Sequence, residues 1–326
     1  MKQKVVAVLR GGKGDEHSIS LQSGAAILRA LSAQQEERQY SVVDIFIDQN
    51  GTWYVRGAPR DPLRALTGVD VVWNALHGSY GEDGTVQRIL DCSGIPYTGS
   101  GSYAAMVSFN KALTKRMLAS QDILMPRSVT LEVTPNLENE ILTQFRTFCQ
   151  PSIIKPVGCG SSLGVTLATS FDTFREGIKN AFNYAPQVLI EEYIYGKEAT
   201  CGVIDFFRGQ HPYILPPVEI MLENKDSFFN FDTKYNNNTF ERCPGNFSSK
   251  ESERIKDVAR TVHTTLGLRD YSRSDFIVSP RGVYFLEVNA LPGTTGESLF
   301  PKSLKAVGSS LEEFIIHVLD LALKRG

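Results

Sequence analysis

The stretch RSDFIVSPRGVYFLEVN, residues 273–289, decides how the C-terminal half of the chain is read. Two mostly apolar runs flank Pro280-Arg281-Gly282. Residues two apart in a strand face the same side. Proline followed within two positions by glycine is turn chemistry. The stretch therefore predicts a β-hairpin with a three-residue loop, in which Ser279 faces Val283. Counting back, Asp275 falls opposite Glu287 and Arg273 opposite Asn289, so all four share one face. That face offers hard oxygen donors and one fixed cation. Mg²⁺ takes oxygen ligands from a few carboxylates plus substrate phosphates, and an arginine suits a phosphate or a developing oxyanion. A surface hairpin laced by cross-strand salt bridges would use the same residues. The surplus of acid over arginine favours a bound cation.

Outward from the hairpin, the chain reads as an ordinary globular protein. It has 326 residues, 42% hydrophobic and 21% charged, enough for two or three domains with a sizeable core. Lys and Arg number 34 against 36 Asp and Glu. That balance leaves no basic footprint for nucleic acid or an anionic membrane. No apolar run reaches the roughly 20 residues that span a bilayer. The opening MKQKVVAVLRGG breaks at Arg10 and Gly11, so it reads as a first strand and not as a signal peptide. Cys92, Cys149, Cys159, Cys201 and Cys243 are scattered and odd in number. They form neither a disulfide framework nor a zinc pattern, which fits a reducing cytoplasm.

The first hundred residues alternate strand and helix signals: strands at 5–9, 40–48 and 69–76, helices at 20–31 and 84–94. This rhythm predicts a doubly wound parallel sheet. A helical stretch over 103–120 carries Lys111 and Lys115. Short strands joined by glycine turns follow, with a helix at 171–183, and predict an antiparallel α+β unit. Residues 223–247 lack periodicity and are rich in Asn and aromatics. A loop that long inside a compact domain is usually functional or disordered. A helix at 249–266, the hairpin and an amphipathic helix at 310–323 complete the chain.

Three further segments carry chemistry. KPVGCGSSLGV (155–165) is a strand–loop–strand, not a Walker A or dinucleotide fingerprint, because no helix follows. Its glycines could lay backbone N–H groups over phosphates, with the Ser161 and Ser162 hydroxyls beside them; a plain hairpin tip would look the same. Lys155 lies inside an apolar strand, where an unpaired ammonium is costly and an anionic ligand would pair it. RGGKGDEHSIS (10–20) is a strand-to-helix turn carrying Glu16. It suits close approach of a ligand, although Glu16 could simply favour the helix dipole. His77 and Glu82 sit in the loop leaving the third strand, where α/β sheets bind ligands.

Taken in order, GGKGDEHSISLQSG, ALHGSYGEDGTVQ, PYTGSG, SFNKALTK, KPVGCGSSLGV, VLIEEYIYGKE, FDTKY, RSDF and EVNALPGTTGESLFP span nearly the whole chain. This series resembles the D-alanine–D-alanine ligases of the ATP-grasp superfamily. The resemblance implies an N-terminal Rossmann-like domain (1–102), a central ATP-grasp subdomain (103–196) and a C-terminal one (197–326), with residues 223–247 as a lid. It implies ATP and two Mg²⁺ ions, with Mn²⁺ able to substitute. Lys111, Lys155 and Lys234 match phosphate-binding lysines, Ser162 a nucleotide-loop position, and Glu191 and Glu198 the adenine- and ribose-side acids. Asp275, Glu287 and Asn289 match the magnesium ligands. Arg273 and the backbone of Gly293 match the oxyanion positions. Glu16 matches the acid that holds the first D-alanine, and Ser298 the residue that meets the second. Glu16, Ser161 and Tyr235 match a trio that fastens the lid. The implied activity is ligation of two D-alanines through an acylphosphate, for peptidoglycan precursors and cell shape, by a cytoplasmic homodimer. Cys159, Glu297 and the Asn236-Asn237-Asn238 run depart from the pattern. They leave open a different second substrate, such as D-lactate, D-serine or another amino acid. A nucleotide-binding relative without catalysis is the remaining alternative.

Overall fold

The computed structural model describes residues 3–33, 40–222, 239–296 and 298–326. Its first sheet holds β1 (Lys4–Gly11), β2 (Tyr40–Ile47), β3 (Trp53–Val55), β4 (Ala58–Arg60) and β5 (Val71–Asn74), in the order β4-β3-β2-β1-β5. β1 pairs in parallel with both β2 and β5. In β1 the side chains alternate, as a strand requires. Val6 and Val8 join the cluster with α1 (His17–Ala33), while Ala7 and Leu9 join the opposite one. All four are fully buried, as expected of a parallel strand covered on both faces. The doubly wound sheet expected from the βαβ rhythm is therefore present. The short antiparallel hairpin β3–β4 extends its edge; at three residues each, these strands are too brief for an alternation signal.

After α2 (Pro62–Ala65) and α3 (Thr85–Ser93), the predicted helix over 103–120 is in fact two, α4 (Ser102–Phe109) and α5 (Lys111–Leu118). Asn110 breaks it in extended geometry, and its side chain caps α5 by accepting from Leu113 N at 2.9 Å. An asparagine competes for backbone donors, so it starts helices better than it continues them.

The second sheet is antiparallel throughout. It holds β6 (Ser128–Glu132), β7 (Ser152–Pro156), β8 (Thr166–Ala168) and β9 (Gln187–Glu192) in the order β6-β9-β7-β8. α6 (Leu137–Thr147) and α7 (Phe171–Phe182) cover it through Ile141, Phe174, Ile178 and Ala181. The sequence reading omits α6.

The third sheet contains β10 (Lys197–Ile204), β11 (Tyr213–Ile214), β12 (Val218–Leu222), β13 (Thr239–Arg242), β14 (Tyr271–Ser279) and β15 (Gly282–Asn289). α8 (Ser249–Thr265) packs on it through Ile255, Val258, Ala259 and Val262. β13 lies within the stretch read as an aperiodic loop, and it pairs with β12. Residues 223–238 of that stretch, with Lys234 and Tyr235, lie outside the described residues, as does Glu297. α9 (Leu299–Ala306) and α10 (Leu311–Leu323) close the chain. α10 returns to the first sheet, where Phe314 and Leu319 share a core with Val6, Val8 and Trp73.

The β14–β15 hairpin corrects the predicted loop. Ser279 pairs with Gly282 and Val278 with Val283, so the loop is one residue shorter than expected. A bulge between Asp275 and Phe276 then absorbs Leu286 on the facing strand. The two offsets cancel. Arg273 still faces Asn289, and Asp275 still faces Glu287.

Candidate active site

The three sheets meet at a cavity of about 330 Å³, lined by Glu16, His77, Glu82, Lys111, Cys159, Gly160, Ser161, Glu241, Arg273, Glu287, Asn289, Gly293, Thr295 and Ser298 among others. That is the size of a small-molecule pocket. The first two sheets contribute through connecting segments, which is where a rigid scaffold presents chemistry, and the third also through residues of its strands.

On the hairpin face, Arg273 donates twice to Asp275, from Nε and Nη2, both at 2.9 Å. Thr200 Oγ1 donates to Asp275 at 2.6 Å, and Asn289 Nδ2 at 3.3 Å. Burial works against the Arg273 cation, but Asp275 and Glu287 outweigh it and its pKa rises. The arginine is thus a permanent charge held by a fork. Glu287 lies 3.3 Å from Lys111 Nζ, which also donates to the carbonyl of Cys159 at 2.7 Å. Lys111 opens α5, so one side chain joins the hairpin of the third sheet to the β7–β8 loop of the second.

In that loop, Ser161 and Ser162 both have positive φ, 52° and 56°. This costs a non-glycine residue about 1–2 kcal/mol each and marks a constrained functional turn. The Ser161 hydroxyl donates to Glu16, 145 residues earlier. A Cβ on Gly160 would stand 2.5 Å from Glu16 Oε2, so a larger residue there would require the Glu16 carboxylate to shift. The departure at Cys159 has a physical reading: burial pushes its thiol up to about 11, so it is a neutral wall of the cavity.

At the other end, Ser298 precedes α9 but does not cap it; its hydroxyl meets Thr295 Oγ1 at 2.8 Å. A Cβ on Gly293 would stand 2.9 Å from Ser298 Oγ, so a larger residue there would displace the Ser298 hydroxyl. Glu241, on β13, also lines the cavity and pairs with Lys302 at 2.5 Å.

Glu16, Lys111, Ser161, Arg273, Glu287, Asn289, Gly293 and Ser298 are thus brought to one cavity, with Asp275 bonded to Arg273 behind it. Lys155 differs from expectation. Its ammonium is already paired by Glu191 Oε2 at 2.5 Å, on the neighbouring strand β9. Glu191 is buried and holds a second lysine, Lys115. Glu198 sits on β10, opposite Ile220 and Ile277. Sequence reasoning named Lys115 without giving it a role, passed over Thr200, Thr295 and Glu241, and gave little weight to His77 and Glu82. In the fold, His77 and Glu82 are buried cavity residues, tied to Ser23 Oγ at 2.9 Å and Gly78 N at 3.0 Å. Their place in the loop after β5 was the one available signal.

Two family models cover the chain. One described as D-ala D-ala ligase N-terminus matches residues 5–66 and 56–100, and one described as D-ala D-ala ligase C-terminus matches 118–320. The chain belongs to the D-alanine–D-alanine ligase family. It is 33% identical over 324 residues to the D-alanine–D-alanine ligase of Carboxydothermus hydrogenoformans, covering 98% of each chain. It is 34% identical over 322 residues to that of Syntrophotalea carbinolica, covering 98% of this chain and 96% of the relative. Among solved structures, VanG D-Ala:D-Ser ligase from Enterococcus faecalis matches with a TM-score of 0.85 at 27% identity, over 98% of this chain and all of that one. D-alanine–D-alanine ligase from Bacillus anthracis matches at 0.81 and 28%, over 99% and 98%. The three sheets therefore form the family's fold, a doubly wound domain followed by a two-part ATP-grasp unit.

Proposed function

We propose that this enzyme joins two D-alanine molecules into D-alanyl-D-alanine with conversion of ATP to ADP and phosphate, supplying peptidoglycan precursors in the cytoplasm. The observation that carries this reading is the hairpin face of Arg273, Asp275, Glu287 and Asn289, joined by Lys111 to the β7–β8 loop. We assign the three sheets to units 1–102, 103–196 and 197–326.

In this reading the first D-alanine's carboxylate takes the γ-phosphoryl group, and the second D-alanine's amine displaces phosphate from the acylphosphate. Negative charge develops on oxygen in both steps. Arg273 and the N–H of Gly293 face the oxyanion. Lys111, Lys155 and the loop of Ser161 and Ser162 hold phosphates, with Glu198 on the ribose side. Glu16 holds the first ammonium, while the Ser161 bond keeps its carboxylate in place. Ser298, oriented by Thr295, meets the second carboxylate.

The hairpin fits a magnesium site. It supplies two carboxylates and an amide, and Asn289 Nδ2 donates to Asp275, which leaves the amide oxygen to accept or to ligate. Among the described residues no group of three or more His, Cys, Asp or Glu is placed to hold a metal ion by itself. A partial oxygen set suits Mg²⁺, which completes its shell with water and substrate phosphate. When bound, the ion adds positive charge beside the phosphoryl oxygens. We include two such ions, replacement by Mn²⁺ and a homodimer in this proposal. The five cysteines are free, in keeping with a reducing compartment, and among the described residues no helix is long and apolar enough to cross a membrane.

D-serine as second substrate is the other reading, supported by the match to a D-Ala:D-Ser ligase and by the polar wall of Thr295 and Ser298. One mass-spectrometric assay separates them: ATP, Mg²⁺ and D-alanine, alone and with equimolar D-serine or D-lactate. D-Ala-D-Ala as main product in every tube supports the first reading. A dominant mixed product overturns it in favour of the second, and no ADP in any tube overturns both.

A further inference from the structure

The Ser298 end of the cavity has a charged wall that the proposed reaction does not use. Glu241 lines it together with Ile220, Thr295, Ser298 and Leu299. Glu241 on β13 pairs in register with Ile220 on β12, so the two side chains stand side by side on the sheet face toward the cavity. The Lys302 ammonium joins the Glu241 carboxylate at 2.5 Å. The Glu241 side chain is only 19% exposed, so this is not a solvated surface bridge of negligible effect. Lys302 lies one turn along α9 from Ser298, and its N–H donates to the Ser298 carbonyl at 3.4 Å. The next residue, Ser303, is hydrogen-bonded to Cys243, so helix and strand are held together at two points. Around this acid the polar lining is neutral: the Thr295 and Ser298 hydroxyls meet at 2.8 Å. The Lys111 and Arg273 cations of the cavity are engaged with Glu287 and Asp275. An arriving amino acid brings a carboxylate, which hydroxyls can hydrogen-bond but cannot neutralise.

We propose that Lys302 is a positioning residue for the second substrate: by pairing with Glu241 it makes a carboxylate wall acceptable to a substrate that itself carries a carboxylate. The inference rests on the reading that Ser298 meets the second carboxylate. With the ammonium in place the Glu241–Lys302 wall carries no net charge. With a neutral side chain at position 302 it carries one negative charge, inside a cavity where like charges repel more strongly than in bulk water. The cost then falls on the second D-alanine, because the first is held at Glu16, which reaches the cavity from the first sheet's side. The same pair fixes the turn of α9 that follows Ser298. Charge and placement are separable, since removing both charges restores the first without restoring the bond.

The test follows initial rates against D-alanine concentration and separates the KM of the first D-alanine from that of the second. It compares the wild type with Ser298→Ala, Lys302→Met, Lys302→Arg, Glu241→Gln and the double variant Glu241→Gln/Lys302→Met. A wild type that forms no dipeptide refutes the reading of function itself. Ser298→Ala should raise the second KM; if it does not, the placement of the second carboxylate has failed and the proposal falls with it. Given that rise, Lys302→Met should raise the second KM roughly tenfold and leave the first within about twofold. Lys302→Arg, which keeps the charge, should stay within about threefold of the wild type. The double variant should return the second KM to within about threefold. An unchanged second KM in Lys302→Met overturns the proposal, and so does an equal rise of both constants, which would mean a structural role. A double variant no better than Lys302→Met also overturns it, because lost packing is not rescued by removing a carboxylate. A tenfold rise in Glu241→Gln alone has the same force, since Glu241 would then hold the substrate directly.

Discussion

At the scale of single residues, the site separates fixed charges from neutral walls. Glu287 contacts Lys111 and faces the proposed metal position, while its backbone pairs with Asp275 beside the bulge. Glu287→Gln keeps the shape and removes the charge. It should lower Mg²⁺-dependent turnover by roughly 10²–10³-fold and leave the circular dichroism spectrum unchanged; turnover near wild type would remove Glu287 from the metal set. Cys159 is the opposite case. With its thiol held at about 11, very little thiolate exists near neutral pH. Peptide mapping after brief iodoacetamide treatment at pH 7.5 should find Cys159 modified at least roughly 100-fold more slowly than a cysteine of ordinary pKa. Comparable labelling of Cys159 and the exposed Cys92 would contradict this.

At the scale of elements, caps and bulges set where side chains point. α8 carries the core of the third sheet, and it starts at a capping box: Ser248 Oγ accepts from Glu251 N at 3.3 Å, and Glu251 Oε2 accepts from Ser248 N at 2.7 Å. Ser248→Ala should cost about 1 kcal/mol in urea unfolding. The Ser248 N–H and, at 2.8 Å, the Ser248 hydroxyl both donate to the Glu251 carboxylate and hold it below its usual value; Ser248→Ala removes the hydroxyl's share. A depressed carboxyl stabilises above the unfolded pKa, near 4.3, and loses that contribution as pH falls through the folded value. The gap between wild type and Ser248→Ala should therefore shrink below about pH 4. A gap constant from pH 7 to pH 3 would show that the bond from the Ser248 hydroxyl to the Glu251 carboxylate is not formed. The Leu286 bulge has the larger functional effect, since it lets a two-residue turn present Glu287 and Asn289 on the face of Arg273 and Asp275.

Across the whole molecule, the end of the chain is tied back to its beginning. Asp270, 1% exposed, accepts from Gly99 N at 2.8 Å and from Arg325 at 2.5 and 2.8 Å. Arg325 also donates to the carbonyl of Tyr97 at 2.8 Å. One carboxylate thus joins the first sheet's last segment, the third sheet and the C-terminus. Asp270→Ala leaves a guanidinium and a buried N–H without their partner. It should destabilise the enzyme by about 2–3 kcal/mol, less than for a fully buried pair because Arg325 is partly exposed. A loss under about 0.5 kcal/mol in urea unfolding would mean that the tie is incidental.

The sequence by itself determined the parts that depend on near neighbours. Strand alternation, turn chemistry and the βαβ rhythm placed the first parallel sheet and the β14–β15 hairpin, and with them the face shared by Arg273, Asp275, Glu287 and Asn289. The periodic signal faded where strands were three residues long, as in β3 and β4, and where one asparagine split a helical run at Asn110. Tertiary structure alone decided the partners of the charges. Nothing near Lys155 in sequence announces Glu191, which arrives from β9, or the second lysine it holds from α5. Glu16 meets Ser161 across 145 residues. Backbone patterns are set by local sterics and burial on one face. Which charge ends beside which depends on how sheets from distant parts of the chain come to share one interior, where an unpaired charge is too costly to leave.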